Sequence, residues 1–155
     1  MTLVYAAQSF DITAPGRPHV SRRDGGHLII NPRVPVEDRT MLSREKAVEL
    51  MKLTMVAGAA MKTVLGRQGI ELGRINYQDN GNWRHELHVH LYGRAFAATI
   101  QTYGHPLSFP PTPAAFEAQM GDLEPLAADD IAALKAEIVR LLATDKYRDF
   151  QDRGD

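Results

Sequence analysis

The chain has 155 residues, of which 44% are hydrophobic and 24% charged, and this balance is typical of one packed domain. The net charge of −1 gives no general reason to expect nucleic-acid binding, and the lack of cysteine excludes disulfides and thiolate metal sites. No apolar run approaches the roughly 18 residues of a membrane helix, and the N-terminus lacks the basic start of a signal peptide, so we expect a cytoplasmic protein without a membrane partner.

The first thirty residues predict a meander of short strands. Residues 3–6 and 10–13 are β-prone, and residues 19–23 favour an edge strand. The turn signal Asp-Gly-Gly at 24–26 then leads into a strand over residues 27–31.

A long helix is predicted over residues 44–65. Ser43 is a favourable N-cap. Apolar residues recur at spacings of three and four, which gives one buried stripe: Leu50, Leu53, Ala57, Ala60 and Val64. The methionines at 51, 55 and 61 are expected to pack in the core.

Three of the six histidines lie in one stretch, residues 84–94. Apolar and polar residues alternate along it, which predicts a strand with one buried face. His88 and His90 then share the open face, about 6–7 Å apart at two residue rises, and His85 points to the other side. The strand predicted over 71–79 precedes it across a turn at 79–82, so the two should form a hairpin.

Two imidazoles on one strand face allow three interpretations. The face can be merely polar and solvated. It can bind a metal, with Glu86 adding an oxygen ligand. It can also perform nucleophilic and acid–base chemistry, because neutral imidazole is a good nucleophile near pH 7.

The rest of the chain predicts a further β segment at 95–101, an irregular proline-rich stretch at 104–113, and helices at about 114–120 and 129–144. Strands, a long helix, strands and helices in this order indicate an α+β fold. We expect a single domain over residues 1–155, with an antiparallel sheet, the long helix across one face, and helices at the C-terminus.

In this order of elements the chain resembles the histidine triad (HIT) family of nucleotide hydrolases and transferases. The pieces that carry the resemblance are Gly-His-Leu-Ile-Ile-Asn-Pro at 26–32, the segment 36–51, the hairpin 76–81, and His-Val-His-Leu-Tyr-Gly-Arg at 88–94. The similarity covers residues 19–94. Residues 102–155 lie outside it, as a variable C-terminal extension.

The resemblance implies a mechanism at the α-phosphorus of a nucleotide. His88 would be the nucleophile and would carry the nucleotidyl group until water releases a nucleoside monophosphate. His90 would donate to the phosphate or the leaving group, and His27 would lie against the pair. Dinucleoside polyphosphates and nucleoside phosphoramidates are the implied substrates. No cofactor or histidine-bound metal is implied, although a divalent cation can accompany the substrate phosphates.

The resemblance also assigns five residues to the nucleotide: Gln78, Asn76, Asn82, His19 and Trp83. Gln78 and Asn76 share a strand face beside the histidines. His19 stands where the family commonly has a ribose-binding Asn or Asp. Trp83 would either stack on a base or cover the end of the hairpin. Four arginines are candidates for the distal phosphates: Arg22, Arg23, Arg84 and Arg94.

One departure affects the expected chemistry. The first triad position holds Glu86 instead of histidine, and its carboxylate could orient His88 by accepting an imidazole N–H. The main alternative is therefore a nucleotide-binding protein of weak activity. A third interpretation is a metal-dependent hydrolase that uses Glu86 with His85, His88 and His90. The family commonly forms two-fold dimers through the long helix, so we expect a homodimer.

Overall fold

The computed structural model describes residues 1–148 and 150. Its strands form one antiparallel sheet in the order β1-β2-β3-β5-β4, with the bounds β1 Thr2–Ala6, β2 Phe10–Ala14, β3 His27–Pro32, β4 Leu72–Gln78 and β5 Val89–Ala95. The helices are α1 Arg44–Arg67, α2 Pro113–Met120, α3 Ala128–Leu142 and α4 Asp145–Arg148. The predicted α+β class and antiparallel sheet are confirmed.

The long helix α1 begins where the sequence predicts. The Ser43 side chain accepts a hydrogen bond from the backbone N–H of Lys46 at 3.3 Å, which satisfies a free donor of the first turn. The helix ends near Gly69, whose φ of 82° is readily adopted by glycine. No helix in the described part of the chain is both long and apolar enough to span a membrane.

The core lies between the sheet, α1 and α3. All five residues of the predicted stripe on α1 are buried, and they pack with Leu28 and Ile30 of β3 and Leu91 of β5. Of the three methionines that were predicted in the core, Met61 is buried but Met51 is 55% exposed, so the prediction was wrong for Met51. That side chain lies outside the stripe because it is adjacent in sequence to Leu50.

The opposite face of the sheet carries the polar residues. Alternation along the central strands directs eight side chains to this open face: His27, Ile29, Asn31, Asn76, Gln78, His90, Tyr92 and Arg94. Cα partners across β3 and β5 include His27 with Tyr92 and Ile29 with His90. The predicted shared face of His88 and His90 is confirmed, since their ring centroids lie 4.7 Å apart.

The histidine strand is shorter than predicted. β5 begins at Val89, and residues 84–88 belong to a ten-residue connection, 79–88, that follows β4. The last Cα pair between β3 and β5 joins Ile30 to Val89, so the pairing of the two strands stops before His88 although β3 itself continues to Pro32. Leu87 is buried nevertheless, and its backbone N–H donates to Val36 O at 2.8 Å.

Two predicted strands are absent from the described residues. Residues 19–23 form turns, and Ser21 O accepts from the N–H groups of both Asp24 and Gly26. Residues 96–101 form a loop because the buried Asp24 carboxylate accepts hydrogen bonds from three consecutive N–H groups, those of residues 99, 100 and 101, at 2.7–2.9 Å. Such a carboxylate occupies the donors that a sheet ladder would need.

Residues 96–120, which we call the covering segment, cross the open face. Arg94 on that face donates to the carbonyls of Thr102 and His105 at 3.0 and 2.7 Å. The Gln101 side chain bonds both backbone groups of Ser108. The proline-rich part is irregular as predicted, and the two predicted C-terminal helices are present as α2 and α3. The covering segment therefore forms a wall above the histidines.

Candidate active site

A pocket of about 520 Å³ opens between the open face of the sheet, the 79–88 connection and the covering segment. The residues that line it are His19, Ile29, Gln78, Asn80, Gly81, Asn82, Trp83, Arg84, His88, His90, Tyr92, Phe109, Pro110 and Pro111. It therefore combines the two predicted triad histidines with an aromatic and proline-rich wall.

His88 has a defined tautomer. Its Nδ1 lies 2.7 Å from the backbone carbonyl oxygen of Glu86, which can only accept, so Nδ1 carries the proton. Nε2 is then the nitrogen with a free lone pair. Burial lowers the pKa of His88 below its ordinary value of 6.5, which keeps the imidazole neutral at pH 7. A neutral imidazole with a free Nε2 is the form that attacks phosphorus.

The orienting contact to His88 comes from the backbone of Glu86, not from its carboxylate. The Glu86 side chain is exposed, while its carbonyl oxygen holds the ring. The expectation that the carboxylate orients His88 was therefore wrong. Residues 84–88 are not extended as a strand, so the parity that would have aimed the side chain inward does not apply to them.

His27 and His90 are joined by a hydrogen bond between neighbouring strands. The backbone N–H of His19 donates to His27 Nδ1 at 3.1 Å, so the neutral His27 ring carries its proton on Nε2. His27 Nε2 donates in turn to His90 Nδ1 at 2.8 Å. His90 therefore has its own proton on Nε2, as a hydrogen-bond donor in the pocket. The peptide N–H of His19 thus determines the tautomer of His27, and His27 in turn determines the tautomer of His90.

Burial keeps these histidines uncharged. It lowers the pKa of His90 to about 3, with further lowering from His88, His19 and Arg84. His27 is 1% exposed, and burial takes its pKa well below the usual value. At pH 7 the site consequently holds neutral imidazoles, and a neutral imidazole can act chemically as a nucleophile or as a hydrogen-bond donor.

His19 lies in the site, but not as a free polar group. Its Nδ1 is hydrogen-bonded to the Tyr92 hydroxyl at 2.8 Å, and its ring contacts Phe109 and Phe116 with centroids 5.3 and 4.7 Å away. Burial lowers its pKa to about 4. A ribose contact through Nδ1 would require breaking the bond to Tyr92. Tyr92 had no predicted role. It is buried, stacks on His90 at 5.2 Å, and has a pKa raised by burial.

His19, His27 and His90 approach one another closely enough to suggest a metal, since their ligand nitrogens lie within 4.8 Å. Their hydrogen bonds do not suit one. A metal on His27 Nε2 would move the proton to Nδ1, where it would face the N–H of His19. The other predicted set of metal ligands, Glu86 with His85, His88 and His90, is not supported either. His85 is 77% exposed and lies 3.4 Å from Glu37.

The predicted nucleotide residues divide into two groups. Gln78, Asn82 and Trp83 line the pocket together with His19. Asn76 is not among the lining residues, and its Oδ1 accepts from Arg94 Nη1 at 2.8 Å, so its predicted place at the nucleotide is not supported.

Of the four candidate arginines, only Arg84 lines the pocket. Arg22 forms an ion pair with Asp130 at 2.6 Å, and Arg23 forms one with Glu124 at 3.1 Å. Arg94 is buried beneath the covering segment and bonds its carbonyls. These three arginines hold the C-terminal part of the chain against the sheet.

Trp83 links the 79–88 connection to the covering segment. Its Nε1 donates to Pro111 O at 3.4 Å, and its ring meets His19 and Phe116 edge-on at 5.5 and 5.7 Å. It covers the hairpin end and lines the pocket at the same time. Phe109 and Phe116 were not predicted in the site, because they lie outside the motif similarity and only the tertiary fold brings them to His19.

No protein-family model matches the sequence, and no curated protein sequence does either. Solved structures do match the fold. A histidine triad protein from Sinorhizobium meliloti has 19% identity and a TM-score of 0.62 over 90% of this chain and 87% of that one. One from Marinobacter aquaeolei has 18% identity and a TM-score of 0.59 over the same shares.

A third structure, described as a hypothetical histidine triad nucleotide-binding protein from Sulfolobus tokodaii, has 15% identity and a TM-score of 0.58 over 96% of this chain and 89% of that one. The chain therefore has the histidine triad fold.

Proposed function

We propose that the protein is a nucleotide hydrolase of the histidine triad type, which cleaves at the α-phosphorus of a dinucleoside polyphosphate or a nucleoside phosphoramidate. The observation that carries the proposal is the tautomer of His88, whose Nδ1 proton is held by the Glu86 carbonyl and whose Nε2 is free in a pocket large enough for a nucleotide. The resemblance in sequence and the shared fold support it.

In the first step His88 Nε2 attacks the α-phosphorus. The N–P bond forms, and the bond from phosphorus to the leaving group breaks with its electron pair on the leaving group. A polyphosphate leaves as an anion, whereas the amine of a phosphoramidate takes up a proton from solvent as it leaves. His90 Nε2–H donates a hydrogen bond to a phosphate oxygen, and His27 keeps His90 in the donor tautomer. The His88 ring then carries the nucleotidyl group and retains its proton on Nδ1.

In the second step water attacks the same phosphorus. The N–P bond breaks and its electron pair returns to Nε2, while the water oxygen stays on the nucleoside monophosphate and a proton goes to solvent. Each step is easier than direct attack by water because imidazole is both a better nucleophile and a good leaving group. We propose that no metal ligated by these histidines takes part.

The test is trapping of the intermediate. Wild-type protein is mixed with diadenosine tetraphosphate or adenosine 5′-phosphoramidate, quenched in base and digested. We expect an adenylyl adduct that is stable in base and labile in acid, on His88 and not on His85 or His90. His88→Ala should fold, bind adenosine monophosphate and lose several powers of ten in rate. His105→Ala, at an exposed histidine away from the pocket, is the control.

An adduct on another residue, or turnover by His88→Ala close to wild type, would reject the mechanism. Binding of adenosine monophosphate without an adduct or turnover by the wild type would instead support the alternative, a nucleotide-binding protein of weak activity. Turnover of the phosphoramidate can also be measured in the presence of a chelator. A loss of turnover there would support the metal-dependent interpretation, because this substrate has no polyphosphate that would itself need a bound cation.

We also propose that two chains pair through α1 and β4. β4 is an edge strand, bonded to β5 alone in the sheet. Beside it lies an apolar groove of about 430 Å³ whose walls include Met51 and Tyr77, which are 55% and 49% exposed. An unpaired strand edge next to exposed methionine and tyrosine is suited to burial against a second copy.

A further inference from the structure

The pocket is chemically different at its two ends. Along the open face the order is His27 with Tyr92, then Ile29 with His90, and Asn31 is the next open-face residue of β3. Asn31 therefore lies towards His88, beyond the last strand pair. His19 and Phe109 lie at the Tyr92 end. His88 stands between an aromatic end and a polar end.

Arg84 occupies the polar end. Its Nη2 donates to Asn31 Oδ1 at 2.7 Å, which holds the guanidinium on the His88 side of the face. Among the described residues that line the pocket, it is the one lysine or arginine, and none of them carries a carboxylate. Its Nε is buried and makes no hydrogen bond with any described residue. The charge of this guanidinium is therefore not neutralised by a carboxylate among the described lining residues, and it can attract an anionic ligand.

The neutral histidines also limit which leaving groups the site can expel. An amine expelled from a phosphoramidate must take up a proton, whereas a polyphosphate leaves as a stable anion. His88 and His90 are both uncharged at pH 7, so neither is an effective acid for an amine. A positive charge next to His88 instead stabilises an anion as it leaves.

We propose that Arg84, held by Asn31, binds the leaving group, and that the protein acts on nucleotides whose leaving group is anionic, such as dinucleoside polyphosphates, in preference to phosphoramidates. The aromatic end of the pocket then takes the nucleoside, and the α-phosphorus lies at His88. This assignment rests on the proposed hydrolase function and narrows its substrate class.

The experiment compares two substrates that share the adenylyl group and differ in leaving group: diadenosine tetraphosphate and adenosine 5′-phosphoramidate. Arg84→Gln should lower kcat/KM for the tetraphosphate by about 10- to 100-fold, the usual range for a lost charged hydrogen bond, and for the phosphoramidate by less than about 3-fold. Arg84→Lys should recover part of the loss. Arg23→Gln, at an exposed arginine outside the pocket, is the matched control. Equal losses on both substrates would overturn the proposal.

A second variant separates charge from packing. Asn31→Asp retains an acceptor for Arg84 but neutralises its charge. It should therefore also lower kcat/KM for the tetraphosphate more than kcat/KM for the phosphoramidate. Binding of inorganic tripolyphosphate, measured by calorimetry, gives a readout that does not need turnover. Both Arg84→Gln and Asn31→Asp should weaken it at least about 10-fold. If tripolyphosphate binds the wild type and both variants equally, the assignment of Arg84 is wrong even if hydrolysis is found. If it binds as proposed but no substrate is turned over, the hydrolase function alone fails.

Discussion

His27 Nε2 donates to His90 Nδ1 across 2.8 Å, and the donor ring is itself oriented by a peptide N–H from His19. A backbone group thus determines which nitrogen of His90 carries its proton in the pocket. Ordinary strand pairing supplies the framework, because Ile29 is opposite His90 and His27 lies two residues before it on the same face. His90, the proposed catalytic donor, is thus positioned by a neutral histidine and a peptide group.

Replacing His27 tests this arrangement. His27→Leu leaves His90 Nδ1 and the His19 N–H without partners, so we expect a loss of about 1–3 kcal/mol in the free energy of unfolding. It also removes the hydrogen bond that keeps the proton of His90 on Nε2, so kcat should fall about 10- to 100-fold. His27→Gln, which keeps a donor and an acceptor, should recover part of both losses. Denaturant unfolding measures the loss of stability, and steady-state kinetics measure the loss of kcat. An unchanged kcat in His27→Leu would contradict the idea that His27 sets the tautomer of His90.

The buried histidines predict a dependence of stability on pH. Their pKa values are lowered in the folded state, to about 3 for His90, and are near 6.5 in the unfolded chain. Between these values the unfolded chain binds protons that the folded one does not. Stability should therefore be complete above pH 6.5 and decline below it, by roughly 1.4 kcal/mol per pH unit for each such histidine.

Denaturant unfolding from pH 7.5 to 4.5 measures this decline. His27→Leu removes one of the groups, so its slope against pH should be shallower than that of the wild type, whatever its stability at pH 7. The same substitution chemistry at an exposed site, His105→Leu, should leave the slope unchanged. A wild-type slope near zero would show that these histidines remain protonated in the fold.

Glu86 should tolerate substitution. Because its backbone carbonyl holds His88 and its side chain is exposed, Glu86→Gln and Glu86→His should both keep kcat within about 3-fold of wild type. Steady-state kinetics at saturating substrate measure this. A loss of 10-fold or more in Glu86→Gln alone would restore a catalytic role for the carboxylate.

The covering segment should influence substrate binding more than chemistry. Phe109 lines the pocket and contacts His19 and Tyr92. If it stacks on the base, Phe109→Ala should raise KM by about 5- to 50-fold with little change in kcat, since base–aromatic stacking contributes about 1–3 kcal/mol. Phe96→Ala, at a phenylalanine outside the pocket that is 54% exposed, should leave KM unchanged.

Assembly can be measured by light scattering. A homodimer should scatter as twice the chain mass of 17.2 kDa at micromolar concentration. Met51→Glu places a charge in the groove beside β4 and should shift the protein to the single-chain mass. Val139→Glu, at an equally exposed residue of α3, should not. A wild type found only at 17.2 kDa would reject the dimer.

Local patterns predicted much of the central sheet and the helices. Alternation at 87–92 correctly separated the buried leucines from the open-face histidines, and the stripe on α1 correctly gave the core side of the helix. The alternation did not reveal that residues 84–88 lie outside the strand, because the pairing of β5 with β3 begins only at Val89. Leu87 is buried by a loop contact, which has the same sequence pattern as a strand.

The aromatic wall could not be predicted from local sequence. Phe109 and Phe116 lie more than eighty residues after His19 in the chain, and their contacts depend on how Arg94, Asp24 and Trp83 attach the covering segment to the rest. The stretch 95–101 has the alternation of a strand, but a carboxylate distant in sequence binds its N–H groups. Neither the position of the two phenylalanines nor the loop conformation of this stretch can be predicted from the residues next to it in the sequence.

The Asp24 carboxylate supports the aromatic wall of the pocket without lining the pocket itself. It is 2% exposed, it lies three residues before His27, and it anchors the loop at 99–101 from which the aromatic wall continues. A substitution of Asp24 would loosen the attachment of that wall without changing the identity of any residue that lines the pocket. Selection for new substrates could therefore act on this remote carboxylate, and homologues with identical pockets could differ in what they accept.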